Sequence, residues 1–357
     1  MHSKNSINAE YPQKEPEIPK LADQDGRFRH TASAFRSFIS SDPNSEFPAE
    51  KDRYVVYLNF GCPWAHRVNL LLHLKGLTSV IPIIVVDCDL VPNGWSFTGN
   101  DGSATADPLY GFKYLREIYQ KADPEYNSRY TVPCLWDKKK ETVVNNESSE
   151  ILRMLYSEFD AFVPADRRED VRPLFPKHLQ SEIEEMNEWV YNTVNNGVYK
   201  TGLATTQEAY EEHVHVLFAS LDRLEKHLDQ PGHSPFLFGE RITEADIRLF
   251  TTMIRFDAAY VTIFKCNLKM IRWEYPRLHD WLRRLYWDEG EESNGGAFRK
   301  TTHFDCVSFS FGLKCLVEID AEFYPDQERI CADIQDTECH HTGRSTSQHS
   351  PALSLEN

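Results

Sequence analysis

Five consecutive β-favouring residues, Tyr54-Val55-Val56-Tyr57-Leu58, run into Gly61-Cys62-Pro63, where the hydrophobic period changes. Val68, Leu71, Leu72 and Lys75 then follow at helical spacing and predict a helix over 65–74. Residues 80–86 form a second apolar run of strand length. A long connection, 87–130, holds a predicted helix at 110–119. Thr131-Val132-Pro133-Cys134-Leu135-Trp136 reads as a loop leading into a third strand, and Val143 and Val144 mark a fourth. Glu147-Ser148-Ser149-Glu150 opens a helix with acids and hydroxyls where a helix start favours them. The order β-α-β-α-β-β-α predicts a four-stranded mixed sheet with helices on its faces. From Leu174 the pattern changes to long amphipathic helices. One stripe is Leu179, Ile183, Met186, Val190 and Val194; another is Tyr210, Val214, Leu217, Leu221, Leu224 and Leu228. Both read as core. Residues 230–235 read as a loop. Thr243 to Asp246 reads as a capping box, with Asp246 structural and Ile247, Phe250 and Ile254 facing inward. A last helix is predicted over 277–286.

The ends are polar. Residues 1–50 are punctuated by proline, and composition leaves open whether Phe28, Phe35, Phe38 and Phe47 anchor them or the segment is disordered. The expected division is an extension at 1–50, an α/β domain at 51–160 and a linker at 161–172. An all-helical domain at 173–305 and a largely disordered tail at 306–357 complete it. Disorder is expected above all beyond about residue 325.

The candidate chemistry lies where strand meets helix. Pro63 suits a first helical position, which leaves Cys62 at or just before the helix N-terminus. Free N–H groups and the helix dipole there favour an anion, so a reactive thiol with a lowered pKa is one reading, helped by His66 and Arg67. A buried, inert cysteine is the other. Ala65 stands where a Cys-x-x-Cys pair has its second thiol, so any chemistry is single-thiol. Pro133 before a strand, facing a Cys-Pro helix start, suggests the cis-prolyl turn of a thioredoxin-like domain.

Charge and cysteine usage narrow the field. With 39 Lys and Arg against 55 Asp and Glu, the net charge of −16 disfavours a nucleic-acid or anionic-membrane partner. No apolar run approaches a membrane span, and the polar N-terminal residues contain no secretory signal, so a cytoplasmic location is expected. The eight cysteines, at 62, 88, 134, 266, 306, 315, 331 and 339, show no framework spacing, which fits free thiols in a reducing compartment. Cys339, His340 and His341 make a weak zinc candidate without a paired ligand cluster, and no metal is expected.

With these elements in place the chain resembles the cytosolic glutathione transferases: a thioredoxin-like α/β domain followed by an all-α domain. Cys-Pro-Trp-Ala-His-Arg at 62–67, Gly94-Trp95-Ser96-Phe97, Asn145-Asn146-Glu147-Ser148-Ser149-Glu150-Ile151, Asn195-Asn196-Gly197-Val198-Tyr199-Lys200 and Phe264-Lys265-Cys266-Asn267-Leu268 narrow the resemblance. They are similar to the glutathionyl-hydroquinone reductases, or Xi-class omega-like transferases, over about residues 26–305. That resemblance implies Cys62 as the catalytic cysteine. It places glutathione, the co-substrate, at Trp95, Arg129, the backbone of Val132, Glu147 and Ser148. Tyr199 matches a tyrosine near the aromatic substrate, and Lys200 and Tyr260 are weaker acceptor-pocket candidates. The implied reaction reduces S-glutathionyl-hydroquinones through a mixed disulfide on Cys62, a detoxification chemistry, in a homodimer. A general omega-like thioltransferase or dehydroascorbate reductase, or a non-catalytic glutathione-transferase-like binding module, are the alternatives. The chain departs from the family at Cys134, where a small aliphatic residue is usual. It departs more sharply after Phe304-Asp305, where a His-Ile-Lys segment and a tyrosine-bearing stretch are replaced by Cys306-Val307-Ser308-Phe309-Ser310.

Overall fold

Every residue of β1 (Tyr54–Leu58) is buried. Continuous burial is the pattern of a central strand covered on both faces. The computed structural model describes residues 22–100 and 102–310. Along the chain β1 is followed by α1 (Pro63–Lys75), β2 (Ile83–Val85), a small hairpin of β3 (Leu90–Val91) and β4 (Gly94–Trp95), and α2 (Leu115–Ala122). Then come β5 (Cys134–Asp137), β6 (Thr142–Asn145) and α3 (Ser148–Ser157). The main sheet has the order β2-β1-β5-β6. β1 runs parallel to β2, with Val56 opposite Ile83, and antiparallel to β5, with Tyr57 opposite Cys134. The mixed sheet expected from the sequence is therefore present, and the Val132–Pro133 peptide is cis.

Two elements differ in extent. β2 covers three residues because Val80 and Ile81 close the 3₁₀ turn at 77–79, both donating to Leu77 O, and Pro82 follows them. α2 starts at Leu115, later than the pattern predicts. Asp107 holds the preceding turn, accepting from the Tyr57 hydroxyl at 2.8 Å and the Tyr110 N–H at 2.6 Å. Only at Tyr114, whose N–H donates to Glu117, is the backbone free to begin a helix.

The helical part comprises α4 (Gln180–Val190), α5 (Gly197–Gly202), α6 (Gln207–Leu228), α7 (Glu244–Met253), α8 (Ile271–Glu274), α9 (Pro276–Trp287), α10 (Ala297–Lys300) and α11 (Phe304–Ser310). The α6 stripe Leu217, Leu221, Leu224 and Leu228 is buried. Asp246 is structural, as expected: it accepts from Thr243 N–H and O–H, Leu237 N–H and Trp281 Nε1–H, each at 2.9 Å. The stripe ending in Val194 does not stay α-helical. Residues 191–195 form a π-helical turn, as do 256–260. Such turns shift the side-chain phase and are frequent at functional sites.

α1 is the wall shared by both parts. It packs on β1 and α3 from one side and on α7 and α10 from the other. It is therefore buried on nearly every face, including the polar His66, Arg67, Asn69 and Lys75. Buried charges need partners. Lys75 finds Asp160 at 2.8 Å; the partners of His66, and Asn195 beside Arg67, come from the helical part.

The N-terminal segment has little regular structure but lies along the sheet edge. Ser37 N–H donates to Val144 O and Asn146 N–H to Phe35 O, covering β6. Phe28 and Phe47 are buried and Phe35 packs against Tyr119 and Tyr126. Phe38, expected as an anchor, is exposed; neighbours on an extended chain face opposite ways, and Ile39 takes the buried place.

The cysteines also differ from expectation. Cys88 and Cys306 form a disulfide across 218 residues. Spacing carries no sign of a pair so distant. α11 meanwhile gives regular structure to 306–310, the expected start of the tail. The zinc candidate Cys339, His340 and His341 and the rest of the tail lie outside the described residues. A peptide map made without reductant should recover Cys88 and Cys306 in one linked species. Reduction should lower stability by up to about 5 kcal/mol, the chain-entropy value for so long a loop. Separate peptides in the native protein would refute the pairing.

Candidate active site

Cys62 is the N-cap of α1, extended at φ −76°, ψ 119°, with Pro63 first in the helix. Its N–H donates to Asn59, to Oδ1 at 3.0 Å and to the carbonyl at 3.2 Å. Its thiol lies 3.6 Å from the carbonyl of Val132, across the cis peptide. The start of α1 and the loop before β5 thus meet at one sulfur, with the cis-prolyl turn facing the Cys-Pro helix start as expected.

The electrostatics differ from the expectation. Burial pushes the Cys62 thiol above its ordinary value, although part of the residue reaches the surface. The N–H groups of Ala65 and Trp64, then Arg255 and Arg67, pull the other way without reversing it. His66 adds no positive potential. It is buried, its Nδ1 lies 2.9 Å from Nη1 of Arg255, and burial and that cation hold its pKa far down. Because Arg has only donors, His66 must accept at Nδ1 and carry its proton on Nε2, 2.9 Å from the Thr301 hydroxyl. Arg67 is charged but buried. Its guanidinium bonds Asn195 Oδ1 at 2.8 Å, and burial and Arg248 draw its pKa down to about 9.

A group of aromatic rings adjoins the thiol through Trp64. Trp64 stacks at 6.3 Å on Tyr199, which lies 6.2 Å from Tyr260, 5.4 Å from Phe264 and 6.0 Å from Phe28. Tyr260 is fully buried, and burial raises the pKa of both tyrosines, keeping their protons on. Lys200, the other acceptor-pocket candidate, donates to Asn192 O at 3.0 Å.

The remaining candidates are less concentrated. Glu147 caps α3, accepting from Ser149 N–H at 3.2 Å, and its other oxygen accepts from the Ser33 hydroxyl at 3.1 Å. Ser148 is buried with its hydroxyl 3.4 Å from Arg67 Nη1. Trp95 is half-buried on β4 and reaches the Cys62 turn indirectly: Ser96 O accepts from Asp87 N–H, and Asp87 O from Asn59 Nδ2. Arg129 is exposed, its charge felt by His30, whose ring lies 5.6 Å from that of Trp64. A depression of about 270 Å³ between 228–235 and 277–281 shares none of these residues.

Sequence reasoning missed Asn59, Arg255, Phe28 and Ser33. Asn59 sits beside the quoted Gly-Cys-Pro turn and was within reach of a turn argument. Arg255 lies nearly two hundred residues from the turn it touches and carries no local signal.

Residues 61–158 match the model of the glutathione S-transferase N-terminal domain and 207–284 that of its C-terminal domain. The chain is 49% identical over 287 residues to glutathione S-transferase omega-like 2 of Schizosaccharomyces pombe, covering 80% of this chain and 88% of the relative. It is 46% identical to the glutathionyl-hydroquinone reductase YqjG of Escherichia coli, covering 73% and 79%. The Xi glutathione transferase of Saccharomyces cerevisiae, solved in complex with glutathione, superposes with a TM-score of 0.74 at 39% identity, covering 80% and 93%. Among the described residues no helix is long and apolar enough to cross a membrane.

Proposed function

The chain is an enzyme of the glutathione transferase family, in its Xi-class, omega-like branch, and we propose that it reduces S-glutathionyl-hydroquinones to hydroquinones at the expense of glutathione. The observation that carries this reading is the Cys62 sulfur held between a helix start and the Val132 carbonyl, with the Trp64–Tyr199 ring pair alongside. A thiol alone would suit any thioltransferase. The adjoining aromatic rings suit a quinol ring, which stacks on such faces.

In this mechanism the Cys62 thiolate attacks the sulfur of the conjugate. The electron pair of the sulfur–aryl bond passes to the ring carbon, which takes a proton, and the hydroquinone leaves. Cys62 remains as a mixed disulfide with glutathione. A second glutathione thiolate attacks that disulfide, releasing glutathione disulfide and regenerating the Cys62 thiolate. Tyr199 is the proton donor in this scheme. Val132 offers its backbone to the peptide part of glutathione, Glu147 its carboxylate to the γ-glutamyl ammonium, and Ser148 a helix start to the neighbouring carboxylate. Arg129 meets the second carboxylate and Trp95 completes the cleft. The enzyme works as a homodimer, a reading that rests on the family alone.

The test supplies glutathionyl-menadiol with glutathione and follows menadiol, alongside hydroxyethyl disulfide and dehydroascorbate. Menadiol release well above the Cys62→Ser background is expected. Turnover of only the two simple substrates would assign a general thioltransferase instead.

A further inference from the structure

The peptide unit joining Gly61 to Cys62 is clamped on both sides. Its N–H is held by Asn59, and its carbonyl accepts from Nε of Arg255 at 3.0 Å. Arg255 also donates from Nη2 to Phe60 O at 3.0 Å, and from Nη1 to Thr251 O at 2.8 Å and His66 Nδ1 at 2.9 Å. The next carbonyl along, that of Cys62, already accepts the helical bond from His66 N–H. These four bonds of the guanidinium therefore go to the Cys62 turn, to the first turn of α1 and to the end of α7.

Arg255 is fully buried, and among the described residues no carboxylate lies within 4.0 Å of it. A buried cation without a counter-ion is costly to keep. The groups that would balance it are anions facing it, and the one that the chemistry generates is the sulfur of Cys62. The other charged or titratable groups around that sulfur are Arg67 on α1, Tyr199 on α5, Tyr260 in the π-helical turn and, stacked on Phe60, His303. Both tyrosines stay neutral, His66 is neutral, and burial and Arg255 lower the pKa of His303, so Arg255 and Arg67 carry the positive charge.

We propose that Arg255 is the positioning residue of the reactive thiol: it fixes the Phe60–Cys62 turn from the helical domain, sets the neutral Nε2–H form of His66, and is the buried counter-ion of the Cys62 thiolate. The assignment rests on Cys62 being the reactive thiol, and its test uses alkylation by iodoacetamide, which needs no substrate turnover. Failure of the hydroquinone reading would leave alkylation untouched.

Arg255→Met, Arg255→Lys and the wild type are compared for Cys62 alkylation rate against pH, with Cys62→Ser as the blank. Because Arg255 favours the thiolate, its loss moves the inflection upward. Arg255→Met should alkylate about tenfold more slowly at pH 7.5 yet reach at least the wild-type plateau at high pH. Arg255→Lys should recover part of the neutral-pH rate. A purely structural role would lower the plateau instead of moving the inflection. A folded Arg255→Met with a profile superimposable on the wild type overturns the proposal. Should Arg255→Met fail to fold, the wild type decides: nitrogen-15 NMR should find His66 neutral with its proton on Nε2 from pH 5 to 8. An imidazolium at His66 in that range could not accept from Arg255 and would overturn it.

Discussion

Cys62→Ser should keep the fold and lose at least about a thousandfold of the turnover, since removing a nucleophile is among the costliest single changes to an enzyme. A serine hydroxyl at the same helix start is a far weaker nucleophile toward sulfur. Among the described residues no other thiol stands ready to replace it. Ala65 occupies the position of a resolving cysteine, and Cys134 and Cys266 are fully buried, with pKa values raised by burial. Cys88 is tied to Cys306. The same substitution should abolish the glutathione adduct that a peptide map finds at position 62 after the wild type meets oxidised glutathione. Because Cys62 makes no side-chain cap bond to α1, its loss should cost little stability. Turnover within tenfold of the wild type, in a preparation with no glutathione adduct, would remove Cys62 from the mechanism.

Much of this site was legible because its parts are local in sequence. The strand, the Cys-Pro helix start, the loop proline and the acid-hydroxyl start of α3 each declare themselves within a few residues. Local rules are enough to place Cys62, Val132, Glu147 and Ser148 at element ends. The acceptor side was legible only in part. Tyr199 was reached through the family resemblance, while periodicity alone reads it as packing. The π-helical turn at 191–195 breaks the period that would have predicted which residues face the thiol. Electrostatics were the least legible. In sequence His66 looks like a cation beside the thiol. In the fold it sits under a second domain, where removal from water and the neighbouring Arg255 keep it neutral. Of the charges that do face the thiol, Arg67 is local, on α1, while Arg255 comes from the segment after α7, through contacts that no spacing announces.

Tyr199→Phe should separate the two halves of the reaction. In the first step the departing aryl carbon is strongly basic, so even a weak acid is an effective proton donor if it is in place. Burial, Tyr260 and the charge on Cys62 all hold the Tyr199 hydroxyl protonated, which suits a donor and excludes a general base at neutral pH. Loss of a positioned proton donor typically costs about 100- to 10,000-fold in the step it serves. The neighbouring Tyr260 offers a partial substitute, which sets the expectation at the lower end, about 100-fold in kcat for glutathionyl-menadiol. The second step, thiol–disulfide exchange on sulfur, needs no proton at carbon. Reduction of a simple glutathione mixed disulfide should therefore stay within about twofold of the wild type. The phenyl ring retains the stacking on Trp64, so KM should change little. Tyr260→Phe alone should cost less, and the double variant more than the product of the two single losses, as expected of one donor covering for the other. Equal losses on both substrates would mean that Tyr199 supports the thiol and not the proton transfer. No loss on either would leave the hydroquinone to take its proton from another source.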